Sequence, residues 1–122
     1  MTITNTTKQL GFSGEQAVAE YLKNKDFKIL VQNFSTKLGE VDLIAQKDEL
    51  IVFVEVKTRQ RAYFPISNVV TFTKQQKITK TAKLFILKNN IIDKVCRFDV
   101  ATVVLGNDEY NIEYIENAFY GR

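Results

Sequence analysis

The chain has no histidine among its 122 residues, and it has one cysteine, one proline and no tryptophan. The absence of histidine excludes Ser-His-Asp and Cys-His catalysis, histidine-ligated zinc sites and any nuclease whose general base is histidine. Cys96 cannot form an internal disulfide, which favours a reducing cytoplasm, and we expect it to be a small core residue beside a strand. Any chemistry must therefore rest on carboxylates, lysines, hydroxyls and a hard cation with oxygen ligands.

Long apolar runs are also absent. No run approaches the length of a membrane span, and residues 1–5 lack the basic start and apolar core of a signal peptide. No repeat or linker-like tract divides the sequence, and its 45% hydrophobic residues are ordinary for a globular protein. We expect one cytoplasmic domain over residues 1–122 that does not contact a membrane, with residues 1–10 loosely held.

Basic residues are concentrated in one stretch of the chain. Residues 51–90 contain eight lysines and arginines and a single acid, a net charge of +7, whereas the rest of the chain carries −4. A concentrated basic block indicates a polyanionic partner. The alternative is a lysine-coated helix that only keeps the protein soluble.

Charged side chains alternate with apolar ones in two neighbouring runs, 39–45 and 51–57, which predicts two strands joined by a tight turn. With a two-residue turn, Asp42 lies opposite Glu55 and Glu40 opposite Lys57, with paired Cβ atoms about 4.5–5.5 Å apart. Two carboxylates this close repel, so one is protonated or a cation lies between them. The pattern indicates a divalent-metal site with a lysine beside it.

The alternative interpretation is that these charges face solvent on a half-exposed sheet. Ile51 and Phe53 share the face of Glu55, however, and valines at 52, 54 and 56 make the other face apolar. The second strand is therefore predicted to be buried on both sides. Because a buried acid without a partner is costly, a cation or a functional role is the better explanation.

Two helices are predicted from capping-box spacing. Ser13 to Gln16 indicates a helix ending near Asn24, with Glu15 on its inward stripe, where it favours the helix dipole or takes part in a site. Thr73 to Gln76 indicates a second helix ending near Lys88. Its apolar stripe and its lysines lie on opposite halves: Ile78, Ala82, Phe85 and Ile86 against Lys74, Lys77, Lys80 and Lys83. Further strands are predicted at 27–34, 95–105 and 110–115, so the order is αβββαββ.

Glu55-Val56-Lys57, thirteen positions after Asp42, resembles the PD-(D/E)xK nuclease pattern. Further short motifs make the chain similar to the bacterial YraN-like family: Gly14-Glu15, Ala19, Tyr21-Leu22, the 39–44 and 52–59 strands, and Arg97-Phe98-Asp99-Val100. That family is similar in pattern to Holliday-junction resolvases. The resemblance implies an α/β (α+β), restriction-endonuclease-like mixed sheet flanked by helices. It also implies a place for Glu15 near the metal, because resolvases carry a glutamate on their first helix.

The expected function is Mg²⁺- or Mn²⁺-dependent endonuclease activity, a hydrolysis of DNA phosphodiester bonds at branched or otherwise structured DNA. Asp42, Glu55 and Glu15 and the Val56 carbonyl are the expected metal ligands, and Lys57 would orient the water or stabilise the transition state. Glu40 either tunes Lys57 or forms a plain ion pair with it. The expected DNA contacts are basic: Arg59, Arg61, Lys74, Lys77 and Lys80.

Two other classes of function fit the same residues. The chain could be a non-catalytic nucleic-acid-binding or partner-docking module with a vestigial nuclease site. It could also be a purely structural protein whose acids pair with Lys57 and Arg59 inside the sheet. If it is a nuclease, a homodimer is one arrangement that would cut both strands of a duplex, because one small site cuts one strand.

Overall fold

A computed structural model describes residues 7–59, 70–105 and 109–121 of the chain. Within these ranges the chain forms two helices and five strands: α1 (Thr7–Asn24), β1 (Lys28–Thr36), β2 (Gly39–Lys47), β3 (Leu50–Arg59), α2 (Phe72–Lys88), β4 (Val95–Leu105) and β5 (Tyr110–Phe119). The predicted order αβββαββ and the mixed α/β class are confirmed. Neither α1 nor α2 is long and apolar enough to cross a membrane.

The strands form one mixed sheet in the order β1-β2-β3-β4-β5. Neighbouring strands are antiparallel except β3 and β4, which are parallel and connected by the crossover that contains α2. The helices cover opposite faces: Val18 and Leu22 of α1 pack into one core cluster, and Ile78 and Phe85 of α2 into the other. The apolar residues of β3 are consequently buried on both faces, as its continuous hydrophobic run predicts.

The β2–β3 hairpin has the predicted two-residue turn at Asp48 and Glu49. Lys47 lies opposite Leu50, and the paired residues continue in that register along both strands. Asp48 has a φ of 53°, a left-handed conformation that aspartate tolerates better than most residues. The register that the sequence predicts for this part of the hairpin is therefore confirmed.

The alternation of side chains along β2 breaks at Asp42. Val41 and Ile44 belong to the same core cluster, although strict alternation would put residues three apart on opposite faces. Across from Asp42 on β1, Asn33 interrupts the ladder with a φ of 57°. A residue in the left-handed conformation cannot continue a regular ladder, so the pairing of β2 is irregular at Asp42 on both of its sides. The ladder between β2 and β3 ends at Leu43, so the predicted backbone pairing of Asp42 with Glu55 is not formed.

Both helices begin earlier than predicted. α1 begins at Thr7, so Ser13 lies inside the helix and not at its N-cap. The N-cap of α2 is Thr71, whose hydroxyl accepts a hydrogen bond from the Lys74 amide, and not Thr73. Only Thr73 is followed three residues later by a glutamine, so the capping-box pattern selects it, but Thr71 caps the helix with its hydroxyl alone. The loose N-terminal stretch stays a prediction, since residues 1–6 lie outside the described ranges.

The last two strands differ from the prediction in the length of β5 and in the exposure of Cys96 on β4. β5 extends to Phe119, four residues beyond the predicted end at Ile115. Cys96 is exposed, and the expectation of a core cysteine is wrong. Val95 beside it is also exposed, so the start of β4 lies outside the core, which this strand enters at Phe98.

Gly14 lets α1 approach β3 closely. A Cβ at this position would lie 1.9 Å from Thr58 Oγ1, far inside contact distance. That hydroxyl is buried and makes no hydrogen bond within the described residues. We therefore expect Gly14→Ala to lower the free energy of unfolding by about 1–3 kcal/mol through overpacking, as measured by urea denaturation. Thr58→Ala, added to Gly14→Ala, should recover part of the loss; a single variant as stable as wild type would show that Thr58 yields without cost.

Candidate active site

Two carboxylates meet where β2 and β3 separate. Beyond the Leu43–Val54 pair, the Val56 amide donates a hydrogen bond to Asp42 Oδ2 at 2.8 Å. The Asp42 side chain thus satisfies a backbone donor that would otherwise lose its partner as the ladder ends. The Asp42 and Glu55 carboxyl groups also hydrogen-bond to each other. The predicted contact between Asp42 and Glu55 is therefore formed. It is made by their side chains beyond the end of the β2–β3 ladder and not by paired positions within that ladder.

The contact between the two carboxyl groups changes the ionisation of Asp42. Glu55 is 6% exposed. Burial of Asp42, its hydrogen bond to Glu55 and the charge of Glu55 raise the pKa of Asp42 to about 8, against smaller opposing effects of the Val56 amide and Lys74. Two adjacent carboxylates cannot both ionise without a compensating positive charge. With a pKa of about 8, Asp42 keeps its proton at neutral pH when no metal ion is bound.

Glu15 lies on α1 close enough to this pair to interact with it. Burial and then the negative charge of Asp42 raise the pKa of Glu15; a hydrogen bond with the Asn33 side chain lowers it, and the charge of Glu40 raises it further. The position of Glu15 on the inward stripe is thus consistent with the sequence prediction. Asn33 was not predicted. The signal for it is an asparagine inside an apolar strand, a residue type enriched in left-handed conformations.

A cleft of about 510 Å³ opens beside the two carboxylates. Its walls come from β2, β3 and the first turns of α2: Glu40, Asp42, Glu55, Val56, Lys57, Thr71, Thr73, Lys74, Lys77 and Ile78. Most of the predicted site residues therefore meet in one place. Glu15 and Lys80 do not line the cleft, Arg59 is half-buried at the end of β3, and Arg61 lies outside the described residues.

The lysines of the cleft have different partners. Lys74 Nζ forms an ion pair with Glu55 Oε2. Across the described ranges Lys57 forms no ion pair, so the cross-strand pair with Glu40 is not found there. The counter-ion of Glu55 comes from α2 and not from the neighbouring position on its own strand. The sequence prediction gave Lys74 a contact with DNA and no contact with the acids.

Gly39 explains how α2 comes so close to the site. A Cβ at this position would lie 3.0 Å from Thr81 Oγ1, 3.1 Å from Lys77 Cβ and 3.2 Å from the Lys77 carbonyl oxygen. Only a residue without a side chain allows β2 and α2 to approach this closely without displacement. The approach holds the first two turns of the helix, with Lys74 and Lys77, over the cleft.

The side chains of the cleft fit a hard divalent cation. The contacting carboxylates of Asp42 and Glu55 are oxygen ligands that such a cation prefers, and a cation would replace the proton on Asp42. In the part of the chain that the structure describes, no three His, Cys, Asp or Glu side chains are grouped to hold an ion, and Glu15 as a further ligand stays a prediction. Mg²⁺ commonly takes one or two carboxylates and keeps several waters, which suits two acids at an open cleft.

The family model and the relatives that match this chain carry the same family name. A model described as "Uncharacterised protein family UPF0102" matches residues 14–103, which include both carboxylates and the start of β4. The chain is similar to a UPF0102 protein of Clostridium botulinum (strain Loch Maree / Type A3), with 47% identity over 116 residues that cover 92% of this chain and 94% of that protein. It is also similar to a UPF0102 protein of Alkaliphilus metalliredigens (strain QYMF), with 41% identity over 114 residues, 93% of this chain and 99% of that protein.

Proposed function

We propose that this chain, which belongs to the UPF0102 family, is a Mg²⁺- or Mn²⁺-dependent nuclease that hydrolyses DNA phosphodiester bonds. One observation carries the proposal: Asp42 and Glu55 are in contact at the wall of an open cleft that also contains lysines. Two contacting acids destabilise a metal-free protein at neutral pH. A cation-binding role would explain why the two acids lie together despite this cost. The resemblance to the PD-(D/E)xK pattern supports the same reaction.

Each polar group of the cleft has a place in this reaction. Asp42 and Glu55 would hold the ion, with the Val56 carbonyl as a further ligand and Glu15 acting on the pair from α1. When bound, the ion supplies a water of lowered pKa and positive charge beside the phosphate. Lys57 has an ammonium group without an ion-pair partner in the described chain, which suits it to orient that water or to stabilise the transition state. Glu40 lines the same cleft as Lys57, and its proposed part in the reaction is to act on Lys57.

The substrate side of the cleft is formed by α2. Thr71, Thr73 and Lys77 line the cleft, and Lys80 is exposed further along the helix. Lysines and hydroxyls are common partners of phosphate oxygens, and phosphate contacts carry no sequence information directly, so this surface favours selection by DNA shape over selection by sequence. Branched or otherwise structured DNA is therefore the proposed substrate, cut by a homodimer if both strands are cleaved.

A non-catalytic nucleic-acid-binding module is the rival function, and one observation favours it. The ion pair with Lys74 already gives Glu55 a counter-ion without any metal. Incubation of the protein with four-way junctions, flaps, linear duplexes, single strands and RNA, in Mg²⁺ and in Mn²⁺, separates the two functions. The proposal predicts cleavage of at least one DNA substrate, absent when EDTA is added. Binding without cleavage of every substrate would favour the vestigial site.

Lys57→Ala is expected to lose turnover while keeping its affinity for Mn²⁺. An ammonium group cannot ligate a cation, so its removal leaves the metal ligands in place and takes away charge stabilisation worth roughly 10²–10³ in rate. Single-turnover cleavage and Mn²⁺ calorimetry on the same preparation measure the two quantities. If Mn²⁺ affinity also collapses, Lys57 holds the acids in place and does not act on the substrate.

A further inference from the structure

Glu55 depends on Lys74 in the structure. With a side chain only 6% exposed, Glu55 has lost most of its contact with water, and a carboxylate in such a place needs a positive partner. Lys74 supplies it from another element, across the cleft wall, while its own side chain remains 47% exposed. One member of the ion pair is therefore fixed and buried, and the other still reaches solvent.

The backbone and the side chain of Lys74 differ in freedom. Its amide is held by the N-cap, where it donates to Thr71 Oγ1 at 3.3 Å. Its ammonium group lies at the end of a flexible four-carbon stem that adopts many rotamers. The group can therefore leave Glu55 without moving α2, and its anchor point on the cleft wall keeps it near any phosphate bound there.

A divalent cation and an ammonium group compete for the same carboxylate. Both are attracted to Glu55, and they repel each other at contact distance in a partly desolvated site. The structure of the cleft therefore suggests two positions for the Lys74 ammonium group. It is paired with Glu55 in one and bound to the substrate in the other.

We propose that Lys74 is the counter-ion of Glu55 in the metal-free protein and that a divalent cation displaces its ammonium group into the cleft, where it binds a phosphate of the nucleic acid. This inference rests on the proposed function, because it requires the cation site at Asp42 and Glu55. It makes cation binding and DNA binding mutually favourable: the metal frees a lysine for the phosphate, and the phosphate holds that lysine away from the acid. Linkage requires each ligand to raise the affinity of the other by the same factor.

Lys74→Gln separates the two arrangements, with Lys88→Gln as its matched control. Lys88 is exposed on the same helix and lies fourteen residues away, about 21 Å along the axis, so its replacement removes the same charge far from the cleft. Calorimetry should show Mn²⁺ binding to Lys74→Gln about fivefold or more tighter than to wild type, because the competing ammonium is gone. Lys88→Gln, and Lys74→Arg, which keeps the charge, should retain wild-type Mn²⁺ affinity.

DNA binding provides the second measurement. Affinity for a hydrolysis-resistant phosphorothioate duplex, measured with and without Mn²⁺, should rise on adding Mn²⁺ in wild type and in Lys88→Gln. In Lys74→Gln most of that rise should be lost. Circular dichroism verifies that each variant keeps its helices.

The outcomes distinguish this inference from the proposed function. Mn²⁺ affinity that is unchanged or weaker in Lys74→Gln would overturn the competition while leaving the metal site standing. Equal tightening in Lys74→Arg would contradict a role of the charge. Absence of Mn²⁺ binding to wild type would overturn the proposed function, and this inference with it.

Discussion

Replacing Asp42 with Asn or Ala, or Glu55 with Gln, is expected to abolish DNA cleavage without unfolding the protein. Both acids would hold one ion, and the loss of either removes charge stabilisation of several kcal/mol, about 10³-fold or more in rate. Asn at position 42 keeps an oxygen that accepts the Val56 hydrogen bond, whereas Ala leaves that amide without its partner. Asp42→Asn is therefore the cleaner test of chemistry, and Asp42→Ala carries an added cost in stability.

The matched control for the acid variants is Glu113→Gln. Glu113 is exposed on β5, so its replacement makes the same chemical change outside the cleft. It should cleave like wild type in Mg²⁺ and in Mn²⁺. Wild-type cleavage by Asp42→Asn or Glu55→Gln, at a circular dichroism signal that matches wild type, would remove these two residues from the reaction.

The metal-free protein is expected to lose stability as the pH rises from about 4 to about 8. Asp42 has its pKa raised from an ordinary 3.8 to about 8 in the folded chain, chiefly by burial and by Glu55. The folded state thus binds this proton more tightly than the unfolded state. The contribution of this proton to the free energy of unfolding is fully present below the pKa of Asp42 in the unfolded chain. It falls as the pH rises, because Asp42 ionises in the unfolded chain before it ionises in the folded one. The loss is complete once the pH has passed the folded pKa.

Asp42→Asn tests this pH dependence directly. The amide carries no charge at any pH, so the variant should show a flatter melting temperature between pH 4 and pH 8 in EDTA. At pH 8 it should be more stable than wild type by about 1–3 kcal/mol. This magnitude follows from a pKa raised by a few units, at about 1.4 kcal/mol for each unit, with part of the effect offset by neighbouring groups. Mg²⁺ at pH 8 should stabilise wild type and not the variant. Parallel curves for the two proteins in EDTA would show that the carboxyl pair shares no proton.

The register of the β2–β3 hairpin is a feature that the hydrophobic period of the sequence predicts correctly. Alternating charge, a two-residue turn and two apolar faces together leave one pairing of β2 with β3, and residues 43–47 follow it. The placement of Ile78 and Phe85 in the core likewise follows from helical period alone. Such patterns predict local elements well because each residue's face is set by its neighbours in the chain.

The parts that were not predicted depend on contacts between elements. The break in alternation at Asp42 lies opposite the left-handed Asn33 on another strand, and a hydrophobic period of two does not predict it. The ion pair between Lys74 and Glu55 joins residues nineteen positions apart on a helix and a strand. Its formation depends on how closely α2 crosses β2 at Gly39, which a list of exposed lysines does not specify. Both features lie at the site, where local rules are most often broken.

Titration of Mn²⁺ into wild type and into Asp42→Asn, by calorimetry at pH 8, measures directly whether Asp42 and Glu55 bind a metal ion. We expect saturable binding of Mn²⁺ to wild type and its loss in Asp42→Asn, since the ion must be held by the Asp42 and Glu55 carboxylates together. Asp42→Asn that binds Mn²⁺ as tightly as wild type, or wild type that binds none, would contradict the existence of this metal site.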